Sequence, residues 1–312
     1  MNKYRELLFL KNLKGIGNTT INKKYVSYLD KINTIDECVE LVIKNEPQFS
    51  SSDIEIAKQE AWSQSERILN NADVEVVTVF DKEYPDNFKD MGDKKPVILY
   101  CKGNIKILQE PTIAVVGTRE PSEWSKQVSV RLISKMLEIS ERRIVSGLAL
   151  GCDSIAHELV VTAKKPTIAV LPSGVNAISP ASNKALAEDI IRTGGCLVSE
   201  YEPNEKATQY TYVQRDSLIA ALSDATFVIE CSKSSGTMHT VRSAEAIKRR
   251  LACYYTEDAS KGKYDGNLCM IHTMGAQKVS NTEELQSFLN ELDTNGKRVQ
   301  NVQQITLADL GL

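Results

Sequence analysis

Between about residues 74 and 292 the chain alternates short apolar runs with longer amphipathic segments. The apolar runs that predict strands are VEVVTVF, PTIAVVG, RRIVSG, PTIAVLPSG, GCLVSEY, ATFVIEC and ACYYTE. The segments between them that predict helices are SKQVSVRLISKMLEIS, SIAHELVVTAKK, NKALAEDIIRTG, QRDSLIAALS and TMHTVRSAEAIKRR. Near-continuous apolar strands alternating with helices are typical of a parallel sheet covered on both faces. We therefore predict a doubly wound α/β fold with a mostly parallel, Rossmann-like sheet.

The first 73 residues have a different pattern. YRELLFLKNL, TIDECVELVIKN and SSDIEIAKQEAWSQSERILNNA carry apolar residues at helical spacing, which predicts a small all-helical domain. The stretch LKNLKGIGNTTINKKY is typical of a helix-hairpin-helix or SAM-like element. Its glycines fit a DNA-contacting hairpin and a plain turn between packed helices equally well. Residues 293–312 show too little periodicity to define a domain, and we assign them to a C-terminal tail.

Composition and charge exclude few classes of function. The 312 residues are 42% hydrophobic and 25% charged, with a net charge of -3, so a phosphate-binding surface would have to be a local basic patch. The seven cysteines form no C-x-x-C pair, which favours free thiols in a cytoplasmic protein over a disulfide framework or a zinc site. We expect no signal peptide, because the N-terminus is too polar, and no membrane span, because no apolar run is long enough.

The ends of the predicted strands carry the candidate chemistry. Ligands of open α/β sheets bind outside the carboxyl ends of the strands, and here glycine, serine and threonine are frequent at those ends. Glycine allows a ligand to approach the backbone, and N–H groups at helix starts attract anions. The residues that we predict to contact a phosphate-bearing ligand are Gly117, Thr118, Arg119, Ser146, Gly147, Gly151, Gly174, Asn183, Arg215, Ser235, Gly236, Thr237 and His239.

Known nucleotide motifs do not match. The loop GTREPS lacks the G-x-G-x-x-G series of dinucleotide enzymes, and SSGTMHT lacks the lysine of a Walker A loop. Asp153 and Glu230 could act as a base, yet nothing in the sequence pairs them as catalytic carboxylates. The sequence therefore shows no cofactor motif, no metal-ligand set and no catalytic pair, and we predict no cofactor, no metal site and no catalytic residue.

Four side chains have competing interpretations. Arg119 contacts phosphate or forms a salt bridge with a carboxylate such as Glu120. Arg215 is predicted at the start of a helix, where it opposes the helix dipole and needs an anionic partner, either a ligand or a carboxylate such as Glu200 or Glu230. Asp153 is predicted to cap a helix N-terminus rather than to act in catalysis, and His157 to be a hydrogen-bonded core residue rather than a ligand or a base.

Residues of about 80 to 280 carry an ordered series of further motifs. In chain order they are Tyr84-Pro85, Pro96, LYCKGN, VVGTR, SGLALGCDSIAH, Gly174 to Pro180 with Asn183, SEY, YVQRDSLIAALS and SSGTMHT. This series resembles the DNA-processing protein A family, also called Smf or DprA. The resemblance implies a protein that binds single-stranded DNA and helps to load a RecA-type recombinase in DNA uptake and recombination. It also implies a binding protein rather than an enzyme. A homodimer is expected as well.

The chain also departs from the family pattern. The family segment R-N-R is here Arg215-Asp216-Ser217, so one basic position is lost and an acidic residue replaces the asparagine. These changes fit a diverged paralogue from a mobile element or a defence system. The alternative is a nucleotide-binding sensor or nucleotide-processing protein on the same fold. The glycine pair and glutamate of the related nucleotide hydrolases are absent from SSGTMHT, which argues against hydrolysis.

Overall fold

The computed structural model of the protein describes residues 3–303, leaving aside the side chains of residue 259 and of residues 295–303. The chain begins with helices, as predicted. They are α1 (Tyr4–Asn12), α2 (Asn18–Lys24), α3 (Val26–Leu29), α4 (Ile35–Asn45) and α5 (Ser51–Leu69). The long helix α5 begins where it does because Ser50 forms a capping box: its hydroxyl accepts from the Asp53 N–H at 3.1 Å, and the Asp53 carboxylate accepts from the Ser50 N–H.

The rest of the described chain alternates strands and helices. The strands are β1 (Glu75–Thr78), β2 (Ile98–Gly103), β3 (Thr112–Val116), β4 (Arg143–Ser146), β5 (Thr167–Val170), β6 (Cys196–Ser199), β7 (Ala225–Val228), β8 (Arg250–Tyr254) and β9 (Gln277–Val279). The helices are α6 (Glu123–Ile139), α7 (Cys152–Thr162), α8 (Lys184–Arg192), α9 (Gln209–Leu222), α10 (Thr237–Ala246), α11 (Asp265–Thr273) and α12 (Thr282–Gln303). Short 3-10 turns, the longest over Asp86–Lys94, connect some of them.

The strands form one sheet in the order β1-β2-β6-β5-β4-β3-β7-β8-β9. All neighbouring strands from β6 to β9 pair in parallel, while β2 pairs antiparallel with both β1 and β6. The predicted mostly parallel α/β fold is confirmed. The strands β2 and β9 were not predicted, because β2 lies outside the strand–helix repeat and β9 is only three residues long.

Helices cover both faces of the sheet because the strand side chains alternate in direction. On β3, Ala114 and Val116 pack in the apolar cluster that contains α9 and α10, while Ile113 and Val115 pack in the cluster that contains α6, α7 and α12. This two-sided burial is why the strands read as continuous apolar runs.

The helical region shares a hydrophobic core with one end of the sheet. Tyr4 and Leu7 of α1 belong to the same buried cluster as Tyr100 of β2 and Leu197 of β6. The rings of Tyr4 and Tyr100 lie edge to face, with centroids 6.2 Å apart. The region is therefore packed onto the sheet as part of one core.

The predicted domain boundaries can be placed on this fold. The boundary after residue 73 falls between the end of α5 and the start of β1, and the boundary after 292 falls inside α12. Both stay predictions, and residues 304–312 of the predicted tail lie outside the described residues.

The structure also bears on the predictions for the cysteines and for membrane spans. The cysteines are unpaired, and all but Cys269 are buried. Burial raises the pKa of Cys38 to about 12 and that of Cys231 to about 11, which keeps these thiols protonated and unreactive. Within residues 3–303, no helix has the length and apolar character needed to cross a bilayer.

Candidate functional site

A cleft of about 450 Å³ opens at the carboxyl ends of β3 and β7. The loop after β3, the first half of α9 and the loop that leads into α10 line it. These elements meet because β3 and β7 are neighbouring parallel strands, so the loops that follow them emerge side by side. Predicted residues that line the cleft are Gly117, Thr118, Arg119, Arg215, Ser235, Gly236, Thr237 and His239.

The loop after β3 holds Arg119 at the rim of the cleft. The Thr118 N–H donates to the carbonyl of Glu230 at 2.8 Å, and the Cys152 N–H donates to the carbonyl of Thr118 at 3.1 Å. Arg119 itself is exposed, with its guanidinium carbon 5.1 Å from the centroid of the Tyr212 ring. In the described part of the chain it makes no ion pair, so the predicted alternative of a salt bridge to Glu120 is wrong.

Arg215 forms the floor of the cleft and is only 3% exposed. Its Nη1 donates to the carbonyl of Val170 at 3.2 Å and to the carbonyl of Gly147, and its Nε lies 3.2 Å from Oδ1 of Asp216. The guanidinium therefore ties the α9 helix to the ends of β4 and β5. Its role in the fold is to fix the floor of the cleft.

The predicted surroundings of Arg215 were wrong in two respects. The helix α9 begins at Gln209, because Thr208 caps it, so Arg215 lies well inside the helix. Its anionic partner is neither Glu200 nor Glu230. Glu200 accepts from Asn18 at 3.3 Å, and Glu230 accepts from the N–H and hydroxyl of Ser122.

Asp153 supplies the second carboxylate near Arg215. It was predicted as a helix cap, but Gly151 occupies the cap of α7, and the Asp153 carboxylate turns back to accept from the Gly147 N–H at 3.1 Å. Burial raises the pKa of Asp153, and Arg215 opposes that shift. His157, one turn later, is fully buried, and its Nδ1 hydrogen-bonds the Thr167 hydroxyl at 3.0 Å, as predicted for a core histidine.

The charge balance of the cleft differs from the basic patch that the sequence analysis required. The charged side chains that line it, apart from His239, are Arg119, Glu120, Asp153, Arg215 and Asp216. Carboxylates therefore outnumber guanidinium groups. Burial raises the pKa of Asp216 to about 6, with Arg215 acting in the opposite direction.

Two main-chain amides at the start of α10 are hydrogen-bonded within the loop. The Thr237 N–H donates to the Ser235 hydroxyl at 3.2 Å, and the His239 N–H donates to the Gly236 carbonyl. Gly236 faces open space, and the ring of His239 is exposed. The Ser235 and Thr237 hydroxyls and the His239 imidazole are among the donors that this loop offers to a ligand.

The remaining predicted residues lie outside the lining of the cleft. The Ser146 hydroxyl donates to the carbonyl of Val115 at 2.7 Å, and the Asn183 amide donates to the carbonyl of Leu148 at 2.9 Å. Gly147 packs against Arg215, and Gly151 adopts a φ of +77° against the backbone of the loop after β3. Gly174 packs against the backbone of Glu202 and Pro203. Their predicted contact with a ligand stays a prediction.

Sequence reasoning missed several lining residues on α9. They are Gln209, Tyr212, Val213, Asp216 and Ile219. Their spacing of three and four places them on one face of a helix that starts at Gln209. The predicted helix started later, so this face was not recognised. The capping pair Thr208 and Thr211 was the available signal.

A family model described as DNA recombination-mediator protein A matches residues 75–290. The chain belongs to this family. Among curated relatives, Protein Smf of Borreliella burgdorferi is 28% identical over 225 residues, which cover 72% of this chain and 69% of the relative. DNA processing protein DprA of Bacillus subtilis is 28% identical over 219 residues, which cover 70% and 72% of the two chains. DprA of Streptococcus pneumoniae is 35% identical over 167 residues, covering 54% of this chain and 58% of the relative.

Solved structures agree with this assignment. The X-ray structure of DprA from Streptococcus pneumoniae matches with a TM-score of 0.76 and 26% identity, over 92% of this chain and 98% of that one. DNA processing protein A from Helicobacter pylori, whose structure is described in terms of its single-stranded DNA binding mode, matches with a TM-score of 0.61 and 29% identity. That match covers 71% of this chain and 97% of that chain. The predicted family and the Rossmann-like fold are confirmed.

Proposed function

We propose that this protein binds single-stranded DNA in the cleft beside β3 and β7 and acts as a recombination mediator. Membership of the recombination-mediator family and the single-stranded DNA binding of the Helicobacter pylori relative support this function. The observation that carries it in this chain is Arg119, an exposed guanidinium at a strand end, lying over the Tyr212 ring in an open cleft. A guanidinium in that position can hold a phosphate while the neighbouring surface receives bases.

Three exposed apolar side chains, which line the cleft or adjoin a lining residue in the chain, favour a single strand over a duplex. Tyr210 is 69% exposed, Leu150 is 48% exposed and Val213 is 40% exposed. Val213 lines the cleft, and Tyr210 and Leu150 each follow a lining residue in the chain. The unstacked bases of a single strand can pack on such aromatic and apolar side chains. In a duplex the bases are stacked inside the double helix and cannot make this contact.

The proposal also covers the oligomeric state of the protein, its location in the cell and its protein partner. We infer that the protein works by binding rather than catalysis, that it acts as a homodimer in the cytoplasm, and that it delivers DNA to a RecA-type recombinase. The description of the family as a recombination mediator supports the recombinase. Mixing the purified chain with a RecA-type recombinase and single-stranded DNA tests this step, since a mediator speeds filament formation on the strand. Sedimentation of the purified chain at several concentrations measures its oligomeric state.

Fluorescence anisotropy with a labelled oligothymidylate tests the DNA-binding function. We expect binding at low salt, weaker binding as salt rises with a slope set by the phosphates contacted, and weaker binding to a duplex of equal length. A strand that does not bind the intact chain at about 50 mM salt contradicts the proposal, because counterion release is then most favourable.

A nucleotide sensor is the second candidate, and the size of the cleft favours it. A volume of about 450 Å³ falls in the range of small-molecule sites. Thermal-shift measurements with mononucleotides and with oligonucleotides separate the two functions. Stabilisation by a mononucleotide without stabilisation by an oligonucleotide supports the sensor.

A further inference from the structure

Asp216 puts a negative charge inside the cleft that is proposed to hold a polyanion. Its side chain is 16% exposed, lines the cleft, and has Oδ1 3.2 Å from the Nε of Arg215. Nε of Arg215 is buried and has no hydrogen-bond partner in the described residues, so the contact with Asp216 is an ion pair of charges rather than a well-aligned hydrogen bond.

Arg215 has a second carboxylate beside it and cannot neutralise both. Asp153 on α7 interacts favourably with the same guanidinium and is itself buried, at 6% exposure. One guanidinium charge thus stands against two carboxylates at the floor of the cleft. Of the two carboxylates, Asp216 is the more exposed to solvent.

The other charged groups that act on Asp216 come from each wall of the cleft. Arg119, from the loop after β3, and His239, from α10, favour its ionised form, and Asp153 opposes it. Glu120 lines the same cleft. Arg119 and His239 are also the groups that would attract an incoming phosphate. The carboxylate therefore competes with the phosphate for the same cations.

We propose that Asp216 acts as an internal competitor of the phosphate, so that DNA binding takes up one proton at this carboxylate. The inference rests on the proposed function. A bound phosphate adds a negative charge near Asp216, and the protonated carboxyl is the form compatible with it. The protein then binds DNA more tightly as the pH falls, and Asp216 sets how tightly it binds at neutral pH.

The physical basis is linkage between protonation and binding. Burial already raises the pKa of Asp216 to about 6 in the free protein, and a nearby phosphate raises it further. Between the pKa of the free and of the bound protein, binding takes up a proton, so the dissociation constant rises with pH by up to about tenfold per pH unit. Below the pKa of the free protein the dependence disappears.

The substitution Asp216→Asn provides the test, because it removes the charge and keeps the shape. The dissociation constant for a labelled oligothymidylate is measured by anisotropy at constant ionic strength, from about pH 5.5 to 8. We expect the wild-type constant to rise with pH, and the variant to show a flatter profile and at least about tenfold tighter binding at the highest pH. Calorimetry in buffers of different ionisation enthalpy should detect proton uptake by the wild type and less by the variant.

Control variants assign the effect to Asp216. Asp189→Asn removes a carboxylate from α8, away from the lining of the cleft, and should leave the pH profile unchanged. His239→Gln removes the imidazole, so a slope that persists in His239→Gln and vanishes in Asp216→Asn belongs to the carboxylate. Circular dichroism at each pH establishes that every variant is folded.

The outcomes separate this inference from the proposed function. If the wild type binds and Asp216→Asn has the same affinity and the same pH profile, the inference is wrong while the function stands. If neither protein binds at any pH, both are wrong.

Discussion

The guanidinium of Arg215 occupies the space above the α-carbon of Gly147, where a side chain at position 147 would have to lie. The same guanidinium donates to the Gly147 carbonyl, and the Asp153 carboxylate accepts from the Gly147 N–H. A buried arginine is thus held by the backbone of a residue that must have no β-carbon. The floor of the cleft depends on this pairing.

Substitution of Gly147 by alanine should destabilise the fold. The added β-carbon overlaps the Arg215 guanidinium, and displacement of a buried, hydrogen-bonded arginine costs about 3 kcal/mol or more. Chemical denaturation measures the loss. Gly236→Ala is the matched control, because a β-carbon there meets open space and the backbone is already helical, so its free energy of unfolding should match that of the wild type. Equal stability of the two variants would show that Arg215 moves aside without cost.

Arg119→Ala should weaken binding of single-stranded DNA by about tenfold, the effect of losing one charged phosphate contact. The slope of affinity against salt should also become shallower. Arg192→Ala is the control. Arg192 ends α8 just before β6, at the opposite edge of the sheet, and its side chain is 74% exposed. Anisotropy titrations of both variants give the comparison, and similar losses would point to a general effect of charge.

Tyr210→Ser should reduce the preference for single strands. The ring is 69% exposed beside the cleft, and loss of one stacked base costs about 1–3 kcal/mol. The ratio of dissociation constants for single-stranded and duplex DNA measures this preference. Tyr28→Ser removes a ring of similar exposure, 51%, from α3 in the helical region and should leave the ratio unchanged. An unchanged ratio in Tyr210→Ser would remove the tyrosine from the base contact.

Buried His157 should make folding sensitive to acid. Burial lowers its pKa to about 3, whereas in the unfolded chain the imidazole titrates near 6.5. The unfolded state therefore binds more protons between these values, and the free energy of unfolding falls by up to about 1.4 kcal/mol for each pH unit below 6.5.

Asp216 opposes this acid sensitivity in the wild type. Its pKa is raised to about 6 in the fold, so between about pH 4 and 6 the folded state binds more protons at this site, and stability rises as the pH falls. The variant Asp216→Asn should consequently lose stability faster on acidification than the wild type. Urea titrations at pH values in this window measure the difference, and identical slopes would contradict the assigned pKa shifts.

Apart from Arg215 on α9, only the predicted residues that follow the neighbouring strands β3 and β7 line the cleft. Arg119 and His239 come together because β3 and β7 pair directly. Gly174 follows β5, which is separated from β3 by β4, and Asn183 lies further along the same connection. Strand order is a property of the folded sheet, and neither apolar runs nor loop composition encode it.

The start of α9 shows a second limit. The segment QRDSLIAALS predicts a helix from about residue 214. In the structure the helix begins at Gln209, because Thr208 and Thr211 cap its N-terminus. This extra length adds Gln209, Tyr212 and Val213 to the cleft wall. The acidic character of the cleft was visible in the sequence as Asp216, yet its ion pair with Arg215 could only come from the structure.

The apolar cluster that joins Tyr4 and Leu7 to Tyr100 and Leu197 limits how this protein can be dissected or rebuilt. Removal of residues 1–73 would expose apolar side chains of the sheet that now pack against the helices. We expect the shortened protein to aggregate. A chimaera that takes its first 73 residues from a relative needs tyrosine and leucine side chains that fit into this same buried cluster. The helical region and the sheet therefore have to stay together in any variant that is to keep this core buried.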